Sequence, residues 1–190
     1  MGRPRDPELE QRLLAATWEL VTTEGYESLS MARVATAANA HRTDVYRRWS
    51  TKTQLVTDAL AAHLPAVSNM DTGTLRGDLR QYVDDLWASW SSPWIDPVVG
   101  LLAELARDPE AEAAFLTMSK RRTYPVRDAI VRAVRRGEVT DVPDLPLLGD
   151  LLEGPIMHRR MIGRQVMTPD DLDAVVDAAY RLFTVTAPTP

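Results

Sequence analysis

Residues Ser30–Val56 read SMARVATAANAHRTDVYRRWSTKTQLV. Met31 to Ala38 is rich in alanine around an apolar Val34, and small residues of this kind let a second helix cross closely. Asn39 sits where that helical pattern stops; after glycine, asparagine is among the residues that best tolerate φ > 0, so it turns the chain within a few residues. A second short helix is expected from about His41 to Trp49, with Val45 and Trp49, four apart, facing inward and Tyr46, Arg47 and Arg48 on its remaining surface. Thr51 opens another helix with Gln54 three residues on, a T-x-x-Q capping box. Two short helices around a tight turn, with a third following at once, outline a helix-turn-helix whose second helix enters a DNA major groove.

The side chains suit that reading. Arg33, Arg42, Arg47, Arg48 and Lys52 stand in this stretch against one acid, Asp44. Phosphates require cations, and base edges require polar groups at the exposed start of a helix. Arg42 is the candidate for a bidentate guanine contact, Thr43 for a thymine methyl and Asp44 for cytosine N4, with His41 on a base or phosphate. Tyr46, Arg47 and Lys52 are expected to hold phosphates. Ser30 caps its helix and is also placed to reach a phosphate. A solvated basic face on an ordinary helical bundle is the plainer alternative.

The chain has 190 residues, 45% hydrophobic and 26% charged, without cysteine. That composition is that of a globular protein and leaves out disulfide and thiolate chemistry. No apolar run approaches a membrane span, and the first residues lack the apolar core of a signal peptide, so the expected location is the cytoplasm. The net charge is −5. Residues 1–63 carry eight charges of each sign, and the excess acid lies in the remainder. DNA affinity is therefore expected to be salt-dependent and confined to the head.

Arg3 and Arg5 flank Pro4 in a short basic arm of the sort that lies in a minor groove. Asp6-Pro7-Glu8 starts a first helix whose apolar face includes Leu9, Leu13, Ala16, Leu20 and Val21, ended by Gly25. The helix from Thr51 stops at Leu64-Pro65, and the loop beyond it marks the expected boundary between a helix-turn-helix domain, residues 1–63, and a helical regulatory and dimerisation domain, residues 64–190. Helices are expected over Leu75–Ser91 and Val98–Arg107, from Asp108-Pro109 to near Gly137 with a kink or break at Pro125, from Pro143 and Pro146 to Ile162-Gly163, and from Thr168-Pro169 onward, ahead of a disordered tail, APTP. The expected fold is all-α, with about nine helices and no strand.

The runs Gly25-Tyr26, Leu29–Ala35, Val45-Tyr46-Arg47-Arg48-Trp49, Lys52 and Leu55-Val56 resemble the N-terminal domain of the TetR family of transcriptional regulators. The usual run there is GVS-x-x-T-LYRHF-x-SK-x-x-LL. Asn39 replaces the turn glycine, His41 a capping serine and Asp44 a threonine, all on the base-reading turn. ELARDPEAEAAF and LLEGPIMHRRMIGRQVMTPDDLDAVV also resemble that family's regulatory domains. The resemblance implies a sequence-specific regulator, in the first place a repressor, and a homodimer through the last two long helices. Leu148, Leu151, Leu152, Ile156, Val175, Val176, Ala179 and Leu182 offer two apolar stripes for that bundle, or else close the monomer core. One recognition helix reads few base pairs, so a palindromic operator read by a symmetric pair is expected independently.

Trp87, Trp90 and Trp94 recur at helical spacing, with Phe115, Met118, Tyr124, Met157 and Met161 as companions. Such side chains suit a pocket for a small lipophilic or aromatic ligand, and equally suit plain core. The three histidines are scattered and no zinc motif, P-loop, dinucleotide fingerprint or G-x-S-x-G occurs. Neither catalysis, nor a cofactor, nor a metal is expected. The rival reading is a helical ligand-binding or protein-interaction module whose head does not bind DNA, and Asp44 in the reading turn is its best support.

Overall fold

Helix follows helix along the chain: α1 Pro7–Glu24, α2 Met31–Ala37, α3 Arg42–Tyr46, α4 Lys52–His63, α5 Leu75–Trp90, α6 Ile95–Leu105, α7 Pro109–Arg122, α8 Tyr124–Arg136, α9 Leu145–Met161 and α10 Pro169–Thr184. The computed structural model describes residues 7–65, 67–139 and 145–184, the side chains of Leu145, Pro146 and Thr184 excepted. Asp6, Pro143 and the tail APTP therefore lie outside the described residues. Among the described residues the architecture is all-α, as the sequence predicts, in ten helices. The long helix expected from Pro109 to Gly137 is divided at Thr123. Pro125 lies in the first turn of α8, where its missing N–H is no loss. Pro155, by contrast, sits inside a continuous α9.

The chain forms two compact units, one from residues 1–65 and 93–119, the other from 66–92 and 120–190. In the first, α1 packs on α4 and α2, α2 on α3, and α6 on α4. Leu13, Val21, Val34, Val45, Leu55, Val56 and Leu101 are fully buried there. Gly25, at φ 85°, ends α1 in the left-handed conformation. Gly100 on α6 lies so near Tyr26 that a Cβ would come within 3.1 Å of the tyrosine Cβ. The start of α4 is tied to the start of α7. Thr51 Oγ1 accepts from Gln54 N at 3.1 Å and donates to Asp108 Oδ2 at 2.5 Å. Gln54 Oε1 accepts from Ser50 N at 3.0 Å while its Nε2 donates to Glu110 Oε2 at 3.0 Å. Asp108 also accepts from Ala111 N at 3.1 Å and so caps α7.

In the second unit α5 is the hub, with α8, α9 and α10 packed on it. Thr74 caps α5, and Thr168 and Asp171 exchange backbone hydrogen bonds in a reciprocal capping box at α10. Asp78, on α5, is fully buried. Its Oδ1 accepts from Thr72 N at 2.6 Å and from Thr72 Oγ1 at 2.8 Å. Its Oδ2 has no hydrogen bond among the described residues and faces Arg132 at 3.6 Å and Arg136 at 3.9 Å. Gly77 makes room for this arrangement, because a Cβ there would come within 2.3 Å of Thr72 Oγ1. No helix among the described residues is long and apolar enough to cross a membrane.

Two outcomes are expected. Asp78→Ala strips two partly exposed arginines of a buried counter-charge and should cost about 2–4 kcal/mol in urea unfolding. Asp78→Asn, which can still accept from Thr72, should cost less. The hydrogen bond from Thr51 holds the Asp108 carboxyl below the usual carboxylate range. Stability from this group is thus present above about pH 4 and lost as pH falls through its lowered value. Asp108→Asn should lose less stability than the parent between neutral pH and pH ~3, as followed by urea midpoints.

Candidate nucleic-acid interface

The turn before α3 is built from backbone hydrogen bonds. Ser30, in extended conformation, caps α2 by accepting from Arg33 N at 3.3 Å. Ala38 N donates to Val34 O at 2.9 Å and Ala40 N to Ala35 O at 2.9 Å. Asn39 takes φ 50°, the left-handed conformation its side chain tolerates. His41 occupies the N-cap of α3 without a side-chain capping bond, and is exposed. α3 itself is five residues, and backbone bonds to Val45 O from Arg48 N and Trp49 N carry the chain round to α4.

What α3 buries is Val45 and, just past its end, Trp49, whose Nε1 donates to Asp58 Oδ2 at 2.8 Å. What it presents is His41, Arg42, Thr43, Tyr46 and Arg47, all exposed, with Tyr46 at 59%. Arg42 makes no hydrogen bond or ion pair among the described residues. Asp44 is tucked in: its Oδ1 accepts from Arg47 Nη2 at 2.8 Å.

The other cations of the stretch are committed within the head. Arg48 does not share the surface of Tyr46 and Arg47. Its side chain is 3% exposed, faces Glu10 of α1 at 3.8 Å, and donates through Nη1 to Asp44 O at 3.0 Å. Arg48 follows the buried Val45 by three residues, and Arg48 N and Trp49 N continue the turn onto Val45 O, so its side chain shares the inward face. Arg33 turns back to Ser28 O at 2.8 Å and to Glu24. Lys52 Nζ donates to Tyr26 O at 3.0 Å and lies 4.0 Å from the centre of the Tyr26 ring. Tyr26 is buried, with its hydroxyl 3.1 Å from Thr53 Oγ1, and burial raises its phenol. Arg3 and Arg5 lie outside the described residues.

The side chains expected to line a ligand pocket are divided between the two units. Trp94, Phe115 and Met118 belong to the first; Trp87, Trp90, Tyr124, Met157 and Met161 to the second. Trp90 and Trp94 are buried, Trp87, Phe115, Met118 and Met161 half-buried, Tyr124 and Met157 exposed. Polar groups that sequence reading missed accompany them. Trp90 Nε1 donates to Glu153 Oε1 at 2.8 Å, and Arg122 Nη2 to Ser89 Oγ at 3.0 Å. Tyr82 is buried, its hydroxyl without a hydrogen bond among the described residues, and burial raises its phenol strongly. On a helical wheel it reads as core, so no sequence signal marks it. No group of acids and histidines fit for a metal ion occurs among the described residues.

The apolar stripes of α9 and α10 split by role. Leu148, Leu152, Ile156, Val176 and Ala179 are buried within the unit. Leu151 and Leu182 are 43% and 54% exposed and, with the half-buried Val175, line an open groove of about 460 Å³ between the two helices.

Two sequence families match. The description "Bacterial regulatory proteins, tetR family" covers residues 13–59, and "Tetracyclin repressor-like, C-terminal domain" covers residues 70–179. An uncharacterised HTH-type transcriptional regulator of Mycobacterium tuberculosis is 31% identical over 92% of this chain and 89% of its own. A DNA-binding transcriptional repressor TetR of Mycobacteroides abscessus is 32% identical over 80% of this chain and 81% of its own. Among solved structures, a TetR family transcription regulator superposes with a TM-score of 0.72 at 24% identity, over 95% of this chain and 100% of that one. A flavonoid-responsive regulator superposes with a TM-score of 0.63 at 18% identity, over 94% and 96%. Both halves of the chain thus carry the same assignment, and this protein belongs to the TetR family of DNA-binding transcriptional regulators.

Proposed function

We propose that this chain is a cytoplasmic, dimeric repressor that reads a palindromic operator through α3 and is released by a small lipophilic or aromatic ligand. The observation that carries the DNA contact is Arg42: exposed, unpaired among the described residues, and at the first position of a helix whose other face is buried. Arg42 reads a guanine edge, Thr43 a thymine methyl, and His41 a neighbouring base or phosphate. Tyr46 and Arg47 take phosphates. Ser30, at the open start of α2, and Lys52 add phosphate contacts, the ammonium bonded to Tyr26 O having further donors to offer. The minor-groove arm is Arg3 and Arg5.

The second copy docks on the groove of α9 and α10, burying Leu151, Val175 and Leu182. Two heads then meet half-sites about 34–36 Å apart. A flat apolar ligand is held among Trp87, Trp90, Tyr124, Met157 and Met161, and the flavonoid response of one structural neighbour is of that chemical kind. The bonds of Thr51 and Gln54 to Asp108 and Glu110 give residues 93–119 a grip on the start of α4, and so on α3. The ligand needs a differential affinity of about 1–3 kcal/mol between two head arrangements to shift operator occupancy.

Arg42→Ala should cost ~1–3 kcal/mol on the duplex enriched from a random pool and relax one operator position. If that variant discriminates among duplexes as the parent does, Arg42 is not reading bases. Leu151→Glu with Leu182→Glu should shift sedimentation from dimer to monomer and weaken operator binding while far-UV circular dichroism is unchanged. A dimer that survives both changes would place the interface elsewhere.

A further inference from the structure

We infer that Asp44 is a positioning residue rather than a base reader: its carboxylate holds Arg47 and mutes that cation's sequence-independent pull on phosphate. The inference rests on the proposal that α3 docks on DNA. Residues three apart on a helix are surface neighbours, and here the Asp44–Arg47 pair closes at 2.8 Å. Their exposures differ in the direction that decides the role. The Asp44 side chain is 19% exposed and that of Arg47 is 63%. A side chain that reads a base edge must present its polar atoms outward; in this pair the cation stands out and the acid is shaded behind it. The backbone of Asp44 is held as well, since its carbonyl accepts from the buried Arg48, which faces Glu10 on α1.

The consequence is electrostatic. A guanidinium has five N–H donors, so Arg47 can keep its bond to Asp44 and still meet a phosphate. A cation already shared with a carboxylate neutralises less phosphate charge and releases less counterion on binding. Binding to arbitrary duplex consists almost wholly of that term, whereas operator binding also has base contacts. Asp44 therefore lowers affinity for duplex of any sequence by about the same factor and flattens its salt dependence, without any contact from Asp44 to a base. An exposed, unshared Arg47 would tighten binding to every duplex alike, and the acid tempers that.

The test uses the full-length protein and its variants D44N, D44E, R47A and D44N/R47A, on a random-sequence duplex and on the duplex each protein enriches from a random pool. D44N should steepen the plot of log affinity against log salt on random duplex by up to about 0.9 per head. Over a fourfold rise in salt that is roughly a further three- to fourfold loss per head. D44N should enrich the same consensus as the parent, D44E should restore the parental slope, and D44N should leave the slope unchanged in the R47A background. Thermal unfolding of each variant checks that the head is folded. A changed base at one consensus position in D44N would make Asp44 a reader and overturn the inference. So would a parental slope in D44N, or an equal steepening with and without Arg47, which would mean that the acid acts by its own charge alone. If the parent protein binds no duplex at any salt, the DNA reading itself fails and this one with it.

Discussion

A five-residue helix has no stability of its own. Nucleating a turn fixes several dihedral angles for one hydrogen bond, and α3 ends before propagation can repay that cost. Everything the head can do with Arg42, Thr43, Tyr46 and Arg47 therefore depends on anchors outside α3. The largest is burial of Val45 and Trp49, each worth roughly 1.5–3 kcal/mol by the area it removes from water. Around that apolar pin are polar braces. Trp49 is held to Asp58 of α4, and Arg48, bonded to the Asp44 carbonyl, faces Glu10 of α1. Lys52 is held to the Tyr26 carbonyl. Each brace joins α3 or its flanks to an element with its own buried face, so the reading surface is rigid because its neighbours are.

The second unit uses the opposite distribution. Its hub, α5, is long enough to present a continuous buried face, from Leu75 through Leu79, Tyr82 and Val83 to Leu86. The buried polar groups there, Asp78, Tyr82 and Ser89, are the exceptions in an apolar core rather than its frame. Asp78 gathers Thr72, Arg132 and Arg136 at the start of α5 and so closes the loop that enters the helix. Tyr82 and Ser89 lie further along α5 and do no such closing. A buried phenol without a hydrogen-bond partner among the described residues costs free energy that packing must offset, which is a reason to look for a ligand near Tyr82 before looking along Met157 and Met161.

Much of this was legible in the sequence wherever the determining chemistry is local. Ser30, Thr51, Asp108-Pro109 and Thr168 with Asp171 are caps whose partners lie three residues away, and all of them fall where their spacing puts them. Asn39 announces its positive φ in the same way. What was not legible depends on backbone carbonyls and on distant chain. Arg33 and Lys52 are bonded to the carbonyls of Ser28 and Tyr26, and a carbonyl has no letter in a sequence. Arg48 lies on the inward face three residues after Val45, where it meets Glu10 of α1, a distant partner that its local run of arginines does not signal. The packing of residues 93–119 with the head depends on Gly100 meeting Tyr26 and Asp108 meeting Thr51, pairs with no local signature.

The same distinction changes how the basic stretch should be counted. Five cations against one acid suggest a strongly attractive patch, yet a charge affects DNA only as far as it is free to meet phosphate. Arg48 is buried, Arg33 is turned to Glu24, Lys52 lies over an aromatic face, and Arg47 is shared with Asp44. That leaves Arg42 as the cation of the five with no partner among the described residues. In a chain of net charge −5 the long-range field does not favour DNA either. A head built this way gains little from phosphate attraction at a distance and must rely on short-range fit, so its affinity for an operator should owe more to base contacts than the run of arginines implies.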